Sequence, residues 1–266
     1  MEDVDHDQRL PVTREGLVAD LAALGVAEGS TLLVHSSLSS LGWVAGGAQT
    51  MVLALLDVLG PAGTIVVPTH SSHLSEPSAW VHPPVPEAWW PTIRESMPAF
   101  DPLLTPTRSM GIVPDTVRHL PGAVRSDHPA YSFCAVGPHA EDVATGHALS
   151  YGLGEGSPLA RCYDLGADVL LLGVGHDDDT SLHLAEARCG AVGTVTRGAP
   201  VLVDGVRRWV TFPDFDIDTD DFVAVGAAAG AAGLERAGAV GYGTARLLGQ
   251  PALVDFATDW FRQNRG

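Results

Sequence analysis

The chain has 266 residues, 45% hydrophobic and 18% charged, which is the composition of a folded protein with one large core. Acidic residues outnumber lysine plus arginine by 32 to 15, and the formal net charge of −17 argues against nucleic acid as a partner. No apolar run is long enough to span a membrane, and residues 1–7 are too acidic for a signal peptide, so we expect a cytoplasmic protein with no membrane partner. The negative charge either favours solubility or concentrates a cationic ligand.

The first 70 residues alternate between helical and strand patterns. We predict a helix at 13–25, capped by Thr13 and ended by Gly25, and a second helix at 48–59. Each helix is followed by a continuous apolar segment, at 31–35 and 63–69. Continuous apolar strands separated by helices indicate an α/β fold with a mainly parallel central sheet flanked by helices.

Residues 71–107 interrupt this alternation with eight prolines and the tryptophans Trp80, Trp89 and Trp90. So long an irregular segment in a compact domain is often a lid or the wall of a binding site. The tryptophans could instead only attach the segment to the core, and the sequence leaves the two roles open. We treat residues 71–107 as a Pro/Trp-rich insertion.

After residue 107 the helix and strand patterns are weaker, except for one buried strand and one hairpin. We predict helices near 111–120, 138–147 and 157–165, a strand at 132–136 and a buried strand at 169–175. Residues 199–210 predict a hairpin around Asp204 and Gly205, and the Ala/Gly-rich tail after Asp218 gives only weak helical signals. The prediction is a single domain, 1–266, with the insertion at 71–107 and a hairpin and helical tail at 199–266. The widely spaced Cys134, Cys162 and Cys189 are expected to be buried free thiols.

The most informative segment is 177–186, directly after the strand at 169–175. Three aspartates precede Thr180, which is placed to cap a helix on which His183 and Glu186 share a face. A carboxylate beside a histidine at the end of a strand is typical of an oriented general base, although such a pair is often only a surface salt bridge. Asp178 and Asp179 are predicted to hold cationic substrate groups, or alternatively to stabilise the start of the helix.

Two other segments could bind an anion. Ser36 and Ser37 follow the strand at 31–35, where hydroxyls and backbone N–H groups can hold phosphate oxygens, and Arg108 offers a guanidinium near a predicted helix start. The dinucleotide-binding glycine motif, the Walker P-loop and the hydrolase nucleophile elbow are absent from the sequence. His176, His183 and Glu186 could be collected into a metal site, but no known ligand motif frames them and we expect no metal.

Seven segments in one order resemble the aminoglycoside 3-N-acetyltransferase family. They are LVHSSL (33–38), GGA (46–48), GTIVVPT (63–69), SDHP (126–129), GEGSPL (154–159), LLGVGH (171–176) and TSLHLAE (180–186). The resemblance implies transfer of acetyl from acetyl-CoA to the 3-amino group of a 2-deoxystreptamine antibiotic, conferring resistance. It also implies an α/β fold other than the splayed sheet of the general acetyltransferase superfamily.

The family's motif residues carry over to this chain one by one. The catalytic histidine corresponds to His183, as general base, and the glutamate to Glu186, as its orienting partner. The family's cofactor-contacting segments correspond to seven residues of this chain: Ser36, Ser37, Leu38, Thr107, Arg108, Met110 and Gly111. Family members often carry asparagine at Asp178 or Asp179, and the tail after Asp218 resembles the family only loosely.

Two other functions remain open at the level of the sequence. One is a hydrolase of a thioester or amide, with Ser157 or the Ser36–Ser37 pair as nucleophile and His183 as base. The other is a non-catalytic protein that binds CoA or a polyamine. The sequence does not indicate which aminoglycosides are accepted, or the oligomeric state.

Overall fold

The structure is a computed structural model that describes residues 10–265. The strands in these residues are β1 (Thr31–Ser36), β2 (Thr64–Pro68), β3 (Val124–Arg125), β4 (Phe133–Val136), β5 (Asp168–Leu172), β6 (Thr194–Val203), β7 (Val206–Phe215), β8 (Glu235–Val240) and β9 (Gly243–Gly249). The α-helices are α1 (Arg14–Leu24), α2 (Gly47–Leu59), α3 (Trp90–Ser96), α4 (Ile112–Val117), α5 (Ala140–Ala144), α6 (Pro158–Asp164), α7 (Ser181–Cys189), α8 (Phe222–Ala231) and α9 (Gln250–Asn264). Among the described helices, none is both long and apolar enough to cross a membrane.

Seven of the described strands form one sheet in the order β3-β4-β2-β1-β5-β9-β8. The central strands β2, β1 and β5 pair in parallel, and the outer four pairings are antiparallel. Two successive antiparallel pairings separate β3 from β2, and two separate β8 from β5. Both β3 and β8 therefore run in the same direction as the three central strands. The predicted α/β class, with helices flanking a central sheet of mainly one strand direction, is confirmed.

Helices cover both faces of this sheet because its central strands are apolar on both sides. β2 is buried at every position, and β1 is buried from Thr31 to His35. One hydrophobic cluster joins the sheet to α1, α2 and α4, and a second joins it to α5, α6, α7, α8 and α9. The three cysteines are free and buried, as predicted.

The first helix shows how closely local sequence determines its ends. The Thr13 hydroxyl accepts a hydrogen bond from the Gly16 N–H at 3.2 Å, and Gly25 takes a left-handed conformation with φ of 104°. Helix α1 therefore begins after Thr13 and ends before Gly25, as predicted.

The insertion packs against the hairpin formed by β6 and β7. Arg207 in β7 donates from Nε to the Met97 carbonyl oxygen at 2.9 Å, and the Phe100 N–H donates to the Pro200 carbonyl oxygen at 3.3 Å. The hairpin turns at Asp204 and Gly205 as predicted, but its strands are ten residues each and reach beyond the predicted segment. The insertion is thus attached to the hairpin through backbone contacts.

The tail differs from the helical expectation. Besides α8 and α9 it contributes β8 and β9, and β9 pairs with β5 in the central sheet. These strands are rich in alanine and glycine and have only one β-branched residue each, Val240 and Thr244, so their sequence gives a weak strand signal. Pairing of β9 with β5, and of β8 with β9, supplies the stability that their own sequence does not.

Candidate active site

The polar residues of the site collect where the parallel strands end. His35 lies at the end of β1, His70 follows β2, and α7 begins after β5. Gly173, directly after β5, has φ of 70°, and a Cβ there would lie 2.8 Å from the Ser40 Cβ. Glycine at this position therefore lets the end of β5 approach the 37–40 turn closely. This approach forms one wall of the site.

His183 and Glu186 form the predicted pair on α7. The His183 Nδ1 lies 2.5 Å from the Glu186 Oε2, and both side chains are buried. A carboxylate at Nδ1 holds the ring proton there and leaves Nε2 as a proton acceptor. The ring also packs against Phe222, with centroids 4.9 Å apart, so its orientation is constrained from two sides.

Glu186 is held in turn by a residue that the sequence analysis did not include. Arg265, just after α9, donates from Nη1 to the Glu186 Oε1 at 2.5 Å, and the Asp218 N–H donates to the same oxygen at 3.1 Å. Arg265 also pairs with Asp221 and lies over the Phe261 ring at 4.1 Å. These hydrogen bonds raise the pKa of Arg265 further above its ordinary value, so it stays charged beside the buried carboxylate.

The start of α7 differs from the prediction. Thr180 occupies the cap position, but its side chain makes no capping hydrogen bond and instead lies 3.3 Å from the His35 Nε2. The capping role belongs to Asp179, whose Oδ1 accepts the Ser181 N–H at 3.0 Å. The Thr180 backbone is already helical, so its hydroxyl points away from the first free N–H groups.

The two candidate substrate-binding aspartates are placed in opposite environments. Asp179 is fully buried and caps α7, so it has no exposed surface that could bind a substrate ammonium group. The structure therefore contradicts its predicted role in substrate binding. Asp178 is exposed and lines a cavity of the site. Partial burial and the neighbouring Asp177 raise the pKa of Asp178.

That cavity has a volume of about 710 Å³ and runs along the end of β1 to the start of α4. Five of the predicted cofactor residues line it: Ser36, Ser37, Leu38, Met110 and Gly111. The Ser36 hydroxyl is buried with no hydrogen-bond partner, and is therefore free to bind a ligand polar group. The structure brings these residues together with Asp178 and Thr180.

The other two predicted cofactor residues do not line this cavity. Arg108 lines a smaller one, of about 370 Å³, together with His73, Trp80 and other residues of the insertion. Thr107 precedes Arg108 and lines neither of the two. Ser109 and Gly111 both have positive φ, and the chain turns between the two cavities at these residues. Arg108 and Met110 are close in sequence but line different cavities for this reason.

The backbone of the Ser36–Ser37 turn is partly occupied. The Ser37 N–H donates to the Leu172 carbonyl oxygen at 2.9 Å. It is therefore not available to a ligand, contrary to the prediction from the sequence. The first hydrogen bond within the following turn runs from the Ser40 N–H to the Ser37 carbonyl oxygen at 3.2 Å. The N–H groups of Leu38 and Ser39 precede that bond and are the ones left to face the cavity.

Histidines near His183 are held neutral by burial. Burial lowers the pKa of His35 to about 4, although the charge of the nearby Asp179 opposes this shift. Burial also lowers the pKa of His70, and its Nε2 is enclosed without a hydrogen-bond partner. The sequence analysis omitted His70, although its position after β2, next to β1, was a usable signal.

Asp214, at the end of β7, is a second acid that the sequence analysis omitted. It is buried, its Oδ2 has no hydrogen-bond partner, and the Arg197 Nε lies 3.9 Å away. Burial raises the pKa of Asp214, opposed by the Phe215 N–H, Arg197 and His183. Only the fold places this hairpin residue beside α7, so spacing along the chain could not indicate it.

The hydrolase alternative loses one of its nucleophiles. Ser157 is buried at the start of α6, where its hydroxyl donates to the Gly154 carbonyl oxygen at 2.6 Å and accepts the Leu159 N–H at 3.2 Å. It is a helix cap with both its hydrogen-bonding roles filled. Within residues 10–265, no three His, Cys, Asp or Glu side chains are grouped as a metal site would require.

Known proteins share this sequence and this architecture. A family model described as aminoglycoside 3-N-acetyltransferase matches residues 33–262. A Bacillus subtilis protein, the SPbeta prophage-derived aminoglycoside N(3')-acetyltransferase-like protein YokD, is 44% identical over 99% of this chain and 97% of its own length. Aminoglycoside N(3)-acetyltransferase VII of Streptomyces paromomycinus is 37% identical over 96% of this chain and 93% of its own length.

Solved structures agree with these sequence matches. The crystal structure of the Bacillus subtilis protein YokD superposes with a TM-score of 0.95 at 45% identity, covering 96% of this chain and 95% of that one. A binary complex of AAC-IIIb with CoASH has a TM-score of 0.85 at 32% identity, covering 96% and 97% of the two chains. AAC-VIa bound to sisomicin has a TM-score of 0.85 at 31% identity, covering 96% and 98%. The match extends through the tail that the motifs did not reach, and the chain belongs to the aminoglycoside 3-N-acetyltransferase family.

Proposed function

We propose that the chain transfers the acetyl group of acetyl-CoA to the 3-amino group of a 2-deoxystreptamine aminoglycoside and thereby confers resistance. The observation that carries this proposal is the His183–Glu186 contact of 2.5 Å on a helix that begins at the wall of a 710 Å³ cavity. Acetyl-CoA supplies an activated thioester, and a cytoplasmic location would give access to it. The relatives named above bind CoASH and sisomicin, respectively.

His183 supplies the base that this transfer needs. An aminoglycoside amine is mostly protonated near neutral pH, and only its free lone pair can form the new N–C bond. The His183 Nε2 accepts one proton of the ammonium group, Glu186 stabilises the resulting imidazolium, and this proton passes on to the sulfur as the C–S bond breaks. The second N–H proton leaves the adduct for solvent, which gives the neutral amide. A general base of this kind accelerates a reaction by about 10²–10⁴-fold.

The cavity residues suit the donor. The free Ser36 hydroxyl and the Leu38 and Ser39 N–H groups offer hydrogen bonds to the polar groups of a pantetheine chain or to the thioester oxygen. Leu38, Met110 and Gly111 supply an apolar wall and a close backbone approach. The assignment of these residues rests on their shared cavity.

The acids of the site suit a polycationic acceptor. Of these acids, Asp178 is exposed at the cavity and can meet a substrate ammonium group, whereas Asp214 is buried beside Arg197 and adds only its long-range field near His183. His35 is uncharged at neutral pH because burial lowers its pKa to about 4, so it adds no repulsion. The neutral His35 therefore leaves the negative charge of Asp178 to attract a cation at the cavity.

A thiol-release assay with acetyl-CoA tests the proposal. Aminoglycosides with a free 3-amine should release CoA, and analogues lacking that amine should be inert. His183→Ala should lower kcat by roughly 10²–10⁴-fold, the range of general base catalysis, while CoA binding measured by calorimetry persists.

A surface histidine provides the matched control. His139 and Asp142 form another pair three residues apart, 3.3 Å from ring nitrogen to carboxylate, but on the protein surface. His139→Ala should leave kcat unchanged. Near-normal turnover by His183→Ala, or equal acetylation of acceptors without the 3-amine, would refute the base or the regiochemistry. CoA release without any acceptor would favour the hydrolase.

A further inference from the structure

His176 lies between two carboxylates that belong to different parts of the chain. Its Nε2 is 2.8 Å from the Glu235 Oε2 on β8, and its Nδ1 is 3.7 Å from the Asp179 Oδ2. The second distance is that of an ion pair rather than a hydrogen bond. Both the Nδ1 and that Asp179 oxygen are buried without a hydrogen-bond partner. These two unpartnered atoms therefore face each other, and each can satisfy the other.

Asp179 connects this contact to the catalytic helix. Its Oδ1 caps α7 through the Ser181 N–H, and its own N–H donates to the His176 carbonyl oxygen at 3.0 Å. His183 lies in the first turn of the same helix. A change in the position of Asp179 would therefore move the start of α7 and the ring of His183 with it.

The ring of His176 has little freedom to leave this position. A Cβ added to Gly226 of α8 would lie 2.1 Å from the His176 ring, so the ring lies directly on the helix backbone. Glu235 is held in turn by Arg246 of β9, at 3.4 Å between Oε1 and Nε. The cleft beside the ring is lined by Asp177, by Arg246 and by residues of α8 that carry no charge.

We propose that His176 is a positioning residue: as an imidazolium it bridges Glu235 and Asp179 and so fixes the start of α7 and the orientation of His183. The proposal adds a residue to the reaction described under Proposed function and rests on it. Burial alone would lower the pKa of His176, but the contacts with Asp179 and Glu235 outweigh it and raise the pKa. The bridge therefore persists at a pH where an exposed histidine has lost its charge.

The sign of the pH dependence follows from this. A histidine with a raised folded-state pKa contributes stability that is fully present below the unfolded-state pKa of about 6.5, and this stability is lost as pH rises through the folded-state pKa. The charged groups facing His176 are Asp177 and Asp179 of its own segment, Glu235 of β8 and Arg246 of β9. The three carboxylates favour the imidazolium, and Arg246 opposes it.

An NMR titration of the full-length protein tests the charge state without reference to activity. The His176 ring, assigned by its loss in His176→Gln, should titrate above the ordinary histidine value of about 6.5. Glu235→Gln should move its midpoint to lower pH, because one of the two carboxylate partners is neutralised. Glu155→Gln is the matched control, since Glu155 pairs with Arg188 on the surface at 2.6 Å, away from His176.

Hydrogen exchange and kinetics then test the positioning. At a pH above the His176 midpoint of Glu235→Gln, the Ser181 amide should exchange faster in that variant than in the unmodified protein. Its kcat should fall by about tenfold, the usual loss for a residue that orients a catalytic ligand or base, while KM for acetyl-CoA stays unchanged. Both effects should shrink at lower pH, where the imidazolium re-forms.

Asp179→Asn separates positioning from simple structural support. An asparagine oxygen can still accept the Ser181 N–H, and its amide can donate to the Nδ1 of a neutral His176. Like Glu235→Gln, this variant should lower the His176 midpoint. Unlike Glu235→Gln, it should keep kcat at alkaline pH, because the asparagine still bridges the neutral ring to α7.

Three results would overturn the proposal: a His176 midpoint at or below about 6.5, unchanged Ser181 exchange in Glu235→Gln, or the same loss of kcat at alkaline pH in both variants. Failure of the proposed function would look different, because His183→Ala would stay active while the His176 titration and exchange results stood.

Discussion

Glu186 is a fully buried carboxylate with three partners, and its catalytic value depends on remaining charged. Its Oε2 faces His183, and its Oε1 accepts hydrogen bonds from Arg265 and from the Asp218 backbone. Burial without such partners would favour the protonated acid, which cannot stabilise an imidazolium. The arginine after the last helix therefore supports the base through the carboxylate between them.

Replacing Arg265 should test this dependence. Arg265→Ala leaves the Glu186 Oε1 with a backbone donor only and removes the positive charge beside this buried carboxylate, so we expect kcat to fall by roughly tenfold. Arg262→Ala is the control, because Arg262 of α9 pairs with Asp259 and donates to the Arg188 and Cys189 carbonyl oxygens at the far end of α7, so it supports the same helix without binding Glu186. Steady-state kinetics across pH and melting curves would show whether both variants lose stability while only Arg265→Ala loses turnover. Equal kcat in the two would contradict the role of Arg265.

At the scale of the element, sequence pattern predicts what depends on near neighbours. The strands β1, β2 and β5 were predictable because they are continuous apolar runs, and the His183–Glu186 pair because three residues bring two side chains onto one helix face. The strands β8 and β9 were not, because an alanine- and glycine-rich segment becomes a strand only through its pairing, here of β9 with β5 and of β8 with β9. Arg265 and Asp214 were missed because only the fold brings them next to α7.

The start of α7 separates two aspartates that the sequence could not distinguish. Asp179→Ala should lower the free energy of unfolding by about 0.5–2 kcal/mol, because it removes the helix cap. Asp178→Ala should leave stability unchanged, since the side chain is exposed, and should raise KM for the aminoglycoside. Chemical denaturation and steady-state kinetics on both variants would measure the two effects. A loss of stability in Asp178→Ala with no change in KM would assign it a capping role instead.

At the scale of the whole molecule, the site is assembled from residues between His35 and Arg265, so it exists only in the complete fold. The same fold carries a net charge of −17 and exposes Asp178 at the main cavity. The two proposed substrates have opposite charge, since the aminoglycoside is a polycation and CoA carries phosphates. A field that attracts one must repel the other, and this gives the charge a measurable consequence.

Raising the salt concentration should therefore change the two substrates' kinetics in opposite directions. The Debye length falls from about 10 Å at 0.1 M to about 3 Å at 1 M, so salt screens the acidic surface from an approaching ligand. We expect kcat/KM for the aminoglycoside to fall several-fold over this range, and that for acetyl-CoA to stay constant or rise. Each substrate controls for the other, because a general effect of salt on folding or on the chemical step would lower both. A parallel decline would show that the negative charge serves solubility alone, whereas opposite trends would show that it selects for the cationic acceptor.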